Sequence, residues 1–281
     1  MKKTIIKADS QILNSINLCG MRYKYEHVMN RRPIEKPEAF SKGDMIHRML
    51  AHYYRAKRDG VYAGRESVVI SECIEIGTAC AAEFHLDSKE VIEVCIPTFK
   101  AYVLKYQYDG WEVEFVEEPF TTILYDSEDL KILHEGIIDL GITDVKGERA
   151  IVDHKTESRK SHPFLLSNQF QGYAFAFKRK VIINKVGFQI SLSDEERFRR
   201  YHYVYSDAIL SEWVEDAVQA YRTAIEWHRA DHFPRNRTSC DKYYGCIYQR
   251  VCKEEPEVRS HKLQVYYSLE PVWDPYTRDV E

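Results

Sequence analysis

Two aspartates and one lysine occupy positions where runs of apolar residues end in charge. Asp139 and Asp153 each follow such a run, and Lys155 comes two positions after the second aspartate. Both runs are typical of strands, and alternate residues of a strand face the same side, so Asp153 and Lys155 point together. If the strands pair antiparallel through a turn at residues 144–147, Asp139 lies beside Asp153.

Two carboxylates side by side repel each other unless a divalent cation joins them. Oxygen ligands suit Mg²⁺ or Mn²⁺. Lys155 beside such a metal could hold and polarise an attacking water, or stabilise charge on a phosphate. The alternative is a surface salt bridge between Asp153 and Lys155, because Asp…Asp-x-Lys spacing often arises by chance. Both aspartates follow apolar strand residues, and this favours the metal site.

Two polar residues on a predicted helix extend this group. Gln169 and Tyr173 are four residues apart, so they share one face of the helix, which could look back at the end of the Asp153 strand. Upstream, His47 lies on another predicted helix that carries a stripe of Met and Tyr side chains. A lone helical histidine is more often exposed or internally satisfied than a metal ligand.

The seven cysteines fall into two groups. Cys73, Cys80 and Cys95 stand in apolar or helical surroundings and are predicted to be small core residues. The other four could supply thiolates to zinc or to an iron–sulfur cluster; they are Cys19, Cys240, Cys246 and Cys252. The late three are spaced C-x5-C-x5-C. The close C-x2-C pair that zinc typically prefers is missing from this run.

The elements that must position these residues change character at Trp111. Helices are predicted over residues 10–26, 40–58, 66–82 and 88–108, with a loop at 31–37. Beyond them, strands are predicted at 111–117, 130–143, 149–155, 181–192 and 201–205, and helices at 164–178 and 207–229. The segment 130–143 is read as one strand or as a hairpin bent at Gly136 and Gly141. The tail after Phe233 is read as irregular.

This order of elements predicts an α/β fold with a mixed central sheet flanked by helices. We divide the chain into a helical part (1–110), a core (111–232) and a cysteine-rich tail (233–281), all within one integrated domain. Hydrophobic residues make up 44% of the chain, enough for one sizeable core. The sequence shows no long apolar run and no secretory signal, so we expect a cytoplasmic protein. The net charge of −4 means that any DNA contact must come from local basic patches.

The chain resembles the RecB-like branch of the PD-(D/E)XK nucleases, which includes CRISPR-associated RecB-like exonucleases, from about residue 12 to 252. The short motifs that carry the resemblance are Gly43…His47, Gly136…Asp139, Ile151…Thr156 and Gln169…Tyr173. The resemblance implies a PD-(D/E)XK core. It implies that His47, Asp139 and Asp153 bind Mg²⁺ or Mn²⁺, with the His154 backbone carbonyl as a fourth ligand. Lys155 would be the catalytic lysine, and Gln169 and Tyr173 would support the site and contact the DNA backbone.

The same resemblance bears on the cysteines. In some RecB-like nucleases one early cysteine joins three late ones around a [4Fe–4S] cluster, and the early cysteine precedes a basic and aromatic run, as Cys19 does here. Those relatives usually have C-x2-C-x5-C late in the chain, where this chain has C-x5-C-x5-C. The resemblance implies a [4Fe–4S] cluster on the four cysteines, and zinc or unrelated cysteines remain the alternatives.

The implied activity is metal-dependent hydrolysis of DNA, more specifically by an exonuclease acting on single strands or duplex ends. The expected settings are repair, recombination, phage replication and CRISPR adaptation, with protein partners in such complexes and no membrane. No Walker A sequence is present, so the chain carries no helicase motor of its own. Two alternatives stay open, a non-catalytic nucleic-acid-binding member of the same fold and a zinc-bearing interaction protein.

Overall fold

The first segment forms a strand before it forms helices. A computed structural model describes residues 3–34, 38–159, 161, 165–241 and 245–276. The chain begins with strand β1 (Thr4–Ala8), then helices α1 (Ser10–Leu18) and α2 (Gly20–Tyr23), a π-helical turn (Lys24–Val28) and strand β2 (Arg31–Pro33). The Asp9 carboxylate caps α1 by accepting the Ile12 N–H at 2.7 Å. The single helix predicted over 10–26 is therefore interrupted, because Cys19 takes an extended backbone conformation.

The next helices form a layer that covers one face of the sheet. They are α3 (Glu38–Arg58), α4 (Glu66–Glu83), α5 (Ser88–Glu90) and α6 (Ile96–Tyr106), with a π-helical segment (Val91–Cys95) before the last. Their apolar stripes, including Met45 and Met49, pack into the largest core cluster. Cys73, Cys80 and Cys95 are fully buried in that cluster, so their predicted role as core residues is confirmed.

The middle of the chain supplies the other strands of the main sheet. In order come β3 (Glu112–Asp126), β4 (Leu130–Thr143), β5 (Arg149–Glu157), helix α7 (Asn168–Phe177), β6 (Lys180–Gly187), helix α8 (Asp194–Arg197), β7 (Phe198–Tyr203) and helix α9 (Asp207–Arg229). Phe164, the predicted start of α7, lies outside the described residues. The strand predicted over 181–192 ends earlier, at Gly187. The predicted mixed sheet flanked by helices is confirmed.

Segment 130–143 is one continuous strand and not a bent hairpin. Its glycines make room for rings on the neighbouring strand. A Cβ at Gly136 would lie 2.6 Å from the Phe120 ring, and one at Gly141 would lie 2.2 Å from the Phe115 ring. These glycines therefore mark close packing between β3 and β4, not chain reversal.

Two strands, β1 and β5, pair with different parts of the same edge of β4. The sheet order is β1-β4-β5-β6-β7, and β3 runs along the other edge of β4. β1 pairs parallel with β4 up to the register Ala8↔His134, and β5 pairs antiparallel from Leu140↔Val152 onward. Between these points, residues 135–139 face no strand on that edge within the described chain. The gap between β1 and β5 is where the sequence places Asp139.

The tail is better ordered than the sequence predicts. After a short 3₁₀ turn (Arg237–Ser239) it forms α10 (Gln249–Cys252), α11 (Pro256–Tyr266) and β8 (Tyr267–Leu269), and β8 pairs antiparallel with β2. A small core joins it to the π-helical turn near the N-terminus; its buried members are Tyr25, Tyr248, Val251, Leu263 and Tyr267. The prediction of an irregular tail was wrong, because these tyrosines supply the apolar area that its few aliphatic residues lack.

None of the helices in the described ranges is both long and apolar enough to cross a bilayer. The division of the chain at residues 110 and 232 stays a prediction.

Candidate active site

The two aspartates meet where β4 and β5 separate. Leu140 is paired with Val152, so Asp139 and Asp153 stand one residue further along, at the opening of the gap. The backbone N–H of His154 donates to Asp139 Oδ2 at 2.7 Å. A side-chain hydrogen bond thus links the strands at the point where they diverge.

Asp153 and Lys155 point the same way from β5 and form an ion pair. Lys155 Nζ lies 2.8 Å from Asp153 Oδ2 and donates to Oδ1 at 3.0 Å. Asp153 is buried, with 1% of its surface exposed, whereas the Lys155 side chain is 37% exposed. The lysine therefore forms the solvent-facing side of the pair.

Burial and neighbouring charges shift the pKa values of Asp139 and Asp153 in opposite directions. Burial raises the pKa of Asp153 to about 6 against the effect of Lys155, and Asp139 adds to the rise. Burial also opposes ionisation of Asp139, but the charges of His47, His154 and Lys155 and the His154 N–H outweigh it, so its pKa is lowered. Burial disfavours the Lys155 ammonium, yet Asp153 and Asp139 raise its pKa above the usual range. Paired carboxylates whose pKa values are driven apart are typical of functional sites.

His47 reaches the aspartates from the helical layer. Its Nδ1 lies 3.5 Å from Asp139 Oδ2. Helix α3 approaches the sheet closely at Gly43, where an added Cβ would lie 3.1 Å from Thr156 Oγ1. The glycine four residues before the histidine therefore allows the helix to bring His47 to β4.

Glu117 is a member of this group that the sequence analysis missed. One ligand atom each from His47, Glu117 and Asp139 lie within 4.8 Å of one another. Glu117 on β3 stands opposite Asp139, between the paired residues Val116↔Leu140 and Glu118↔Ile138. Its φ of 51° lies in the left-handed region that residues with a side chain rarely adopt. Such backbone strain often accompanies functional sites.

The residues present fit a divalent cation. The carboxylates of Glu117 and Asp139 and the imidazole of His47 lie close together. Oxygen donors with one imidazole nitrogen suit Mg²⁺ or Mn²⁺, and imidazole also suits several transition metals. Asp153 lies outside the group of three but is close enough to Asp139 to feel its charge. Asp153 Oδ2 is buried and accepts no well-formed hydrogen bond within the described residues, although the lysine amine is near it. The cation nearest to this oxygen is the Lys155 ammonium, at 2.8 Å.

Gln169 and Tyr173 support the site from α7. Gln169 Nε2 donates to the Tyr173 hydroxyl at 2.9 Å, and that hydroxyl donates to the backbone carbonyl of Ile137 at 3.0 Å. Ile137 lies in the stretch of β4 that faces no strand on this edge. Tyr173 is buried, at 5% exposure, and its bonds are internal. Its contact with DNA stays a prediction, whereas its contact with the site is direct.

The whole arrangement matches one family. The sequence model of the PD-(D/E)XK nuclease superfamily matches residues 11–253, which is most of the chain. The chain belongs to this superfamily. Which residues of this PD-(D/E)XK nuclease fill the family's acidic and lysine positions stays a prediction, and Asp139, Asp153 and Lys155 are the residues predicted for them.

Comparison with solved structures gives matches at low identity and low TM-score. One is SSO0001, at 15% identity and a TM-score of 0.39, with 90% of this chain and 87% of that chain covered. Another, named "Putative exonuclease" and from Eubacterium rectale, has 13% identity, a TM-score of 0.47 and 88% of each chain covered. LHK-Exo, solved in complex with dAMP, has 12% identity and a TM-score of 0.34, with 67% of this chain and 97% of that chain covered. No curated protein matches the sequence.

The four remaining cysteines of this nuclease lie in one region, away from the aspartates. Cys19 Sγ accepts the Asn236 N–H at 3.4 Å, which ties the early cysteine to the segment before Cys240. The Cys246 N–H donates to the Cys240 carbonyl at 2.7 Å. Burial raises the pKa of the Cys252 thiol to about 11 against the effect of Arg235, and the other three thiols add to the rise.

The spacing of these sulfurs differs from that of a zinc site. Zn–S bonds of about 2.3 Å in a tetrahedron place sulfurs about 3.8 Å apart. Within the described residues, no three of the four cysteines have sulfurs all within 4.8 Å of one another.

Proposed function

We propose that this PD-(D/E)XK nuclease hydrolyses phosphodiester bonds in DNA with the help of Mg²⁺ or Mn²⁺. Asp139 would be the central ligand, joined by His47, Asp153 and the His154 backbone carbonyl, and Glu117 is added to that set. The observation that carries the proposal is the Lys155 ammonium, which lies 2.8 Å from Asp153 and faces solvent beside the converging carboxylates.

The residues divide the chemistry between them. When bound, a divalent cation supplies Lewis acidity and lowers the pKa of a bound water. Lys155 keeps its proton at neutral pH because its pKa is raised, so Nζ can donate to a phosphate oxygen or hold the attacking water. Asp153 in turn holds the Lys155 amine through two close oxygen contacts and limits its rotation. Tyr173 and Gln169 keep β4 in place below the reacting group.

The finer parts of the proposal come from the resemblance to the RecB-like branch. They are the exonuclease mode, DNA as the substrate, and a [4Fe–4S] cluster on Cys19, Cys240, Cys246 and Cys252. The Cys19, Cys240 and Cys246 thiols are near enough to raise the pKa of the Cys252 thiol, and this proximity is what supports the cluster proposal. A cytoplasmic location, and work in repair, recombination, phage replication or CRISPR adaptation with protein partners, stay predictions.

A cleavage assay with defined substrates tests the activity. End-labelled single strands, linear duplexes and covalently closed circles are incubated with Mg²⁺, with Mn²⁺ or with EDTA. We expect both metals to support release of short products from linear DNA, with no cleavage in EDTA and closed circles left intact. Cutting of closed circles would replace the exonuclease mode by an endonuclease mode.

Matched variants connect that activity to the site. Lys155→Ala should abolish cleavage, whereas Lys146→Ala, an exposed lysine in the turn at the far end of the β4–β5 hairpin, should cleave like the wild type. Full activity in folded Lys155→Ala would refute the assigned site. A folded wild-type protein that binds DNA but cleaves none of the substrates would favour the non-catalytic alternative.

A further inference from the structure

A buried chain of polar side chains runs from the active site into the helical layer. His154 points from β5 away from Asp153 and Lys155, and its Nδ1 lies 2.7 Å from Nδ2 of Asn184, its register partner on β6. The same Asn184 amide donates to the Tyr102 hydroxyl at 2.8 Å. Tyr102 and Tyr54 share a hydrogen bond of 2.7 Å between their hydroxyls. Asn184 and both tyrosines have no exposed surface.

His154 connects this chain to two of the proposed metal ligands. Its backbone N–H holds Asp139 Oδ2. Its ring lies between two side chains of α3, stacked on Tyr54 at 5.6 Å and edge-on to His47 at 6.0 Å. A rotation of the His154 ring or peptide would therefore disturb Asp139 and His47 together.

Packing alone does not account for an asparagine at position 184. Its Oδ1 is buried and has no hydrogen-bond partner within the described residues, which is unfavourable for folding. An apolar side chain of similar size would avoid that cost. It would also suit β6, where Ile183 and Val186 are fully buried and apolar. What the asparagine adds is a hydrogen-bonding partner for His154 Nδ1, and such a contact fixes the orientation of the ring.

We propose that Asn184 is a positioning residue for the divalent-metal site, acting through His154. The inference rests on the proposed function, because it assumes that Asp139 and His47 bind the metal. By holding the His154 ring, Asn184 fixes the backbone of His154, whose N–H orients Asp139 and whose carbonyl is a proposed ligand. Partners that orient a ligand without touching the metal typically change metal affinity about 10–100-fold when they are removed.

Mn²⁺ binding to the full-length protein, measured by calorimetry and by electron paramagnetic resonance, tests the proposal. Asn184→Val keeps a strand-forming side chain and removes the donor. We expect its Mn²⁺ dissociation constant to rise about 10-fold or more. In cleavage assays the Mn²⁺ concentration for half-maximal rate should rise by the same factor, with most of the maximal rate recovered at saturating metal. Tyr102→Phe, which removes only a hydroxyl, should shift both values in the same direction by less.

The control is His134→Leu. His134 is also a buried histidine, on β4, but its ring packs against Phe120 and Trp213, away from the aspartates. Its Mn²⁺ affinity should equal that of the wild type. Thermal unfolding of each variant separates a loss of stability from a loss of metal binding, and Tyr102→Phe stands in if Asn184→Val fails to fold.

Two negative results have different meanings. If wild-type protein binds Mn²⁺ and Asp139→Ala does not, but folded Asn184→Val and Tyr102→Phe bind it as tightly as the wild type, this inference is overturned and the proposed function stands. If Asp139→Ala binds Mn²⁺ as tightly as the wild type, the proposed metal site itself fails.

Discussion

The Tyr173 hydroxyl donates to the Ile137 carbonyl at the one stretch of β4 where β1 has ended and β5 has not yet begun. A side chain from α7 there takes the place of a strand N–H. This hydrogen bond therefore satisfies a carbonyl of β4 in the stretch beside Asp139 that pairs with neither β1 nor β5.

Removing that hydroxyl should weaken the protein and its activity together. In Tyr173→Phe the Ile137 carbonyl and the Gln169 amide each lose a buried partner, so we expect the free energy of unfolding to fall by about 1–3 kcal/mol. The cleavage rate should fall as β4 loosens. Denaturant unfolding and the cleavage assay measure the two effects. Tyr125→Phe, which loses only an exposed contact with Arg222, should change neither, and an unaltered Tyr173→Phe would disprove the supporting role.

Glu117 offers a test of the ligand set. Glu117→Gln keeps the shape of the side chain and removes its charge, so we expect Mn²⁺ affinity to fall about 10-fold or more if the carboxylate binds the metal. Its exposed neighbour Glu118, changed to Gln, is the matched control and should bind Mn²⁺ normally. Equal affinity in the two variants would leave Glu117 outside the coordination sphere.

The cysteine group predicts a coloured protein. Anaerobically prepared wild type should absorb near 400 nm and contain iron, and Cys246→Ser should lose both and become protease-sensitive after residue 233, because cluster binding contributes folding energy. Cys80→Ala, a change in the main core, should keep the colour. If the wild-type protein contains zinc and no iron, the zinc alternative is correct. If it contains neither metal, both the cluster and the zinc site are ruled out.

His134 makes stability depend on pH. Burial lowers its pKa to about 4, so between pH 6.5 and 4 the unfolded chain binds a proton that the folded chain does not. Stability should therefore fall as the pH drops through this window, by up to about 1.4 kcal/mol per pH unit for this one group. His134→Leu should make the decline shallower, while exposed His232→Leu should not. Some decline should remain in His134→Leu, because burial also lowers the pKa of His27 to about 4. Identical pH profiles for the wild type and His134→Leu would contradict the assignment.

Regular periodicity made much of this fold predictable. Helices α4 and α9 and strand β4 begin and end within about one residue of the prediction, since their apolar residues repeat with a clear period over many positions. The aspartates and Lys155 could be found because polar residues that end buried strands stand out in a sequence.

The features that could not be predicted depend on contacts between residues far apart in the sequence. β1 is a short, largely exposed strand, and its pairing with β4 joins Ile6 to Ile132, which no local pattern reveals. In the sequence, Glu117 shows only as one of two successive glutamates that break the alternation of apolar and polar residues in β3. Its position opposite Asp139 follows from the register between β3 and β4, which the sequence does not reveal. The tail core escaped notice because three of its five buried members are tyrosines, and one of these, Tyr25, lies far from the tail in the sequence.

The pairing of β2 with β8 has a consequence for synthesis on the ribosome. Arg31 is translated long before its partner Leu269. Cys19 likewise waits for the segment around Asn236. The segment around Arg31 must therefore remain without its native partner while the residues between the two strands are made, and contacts so distant in sequence slow folding. A nascent chain halted before residue 236 would lack both contacts, so its early segment would be exposed to chaperones.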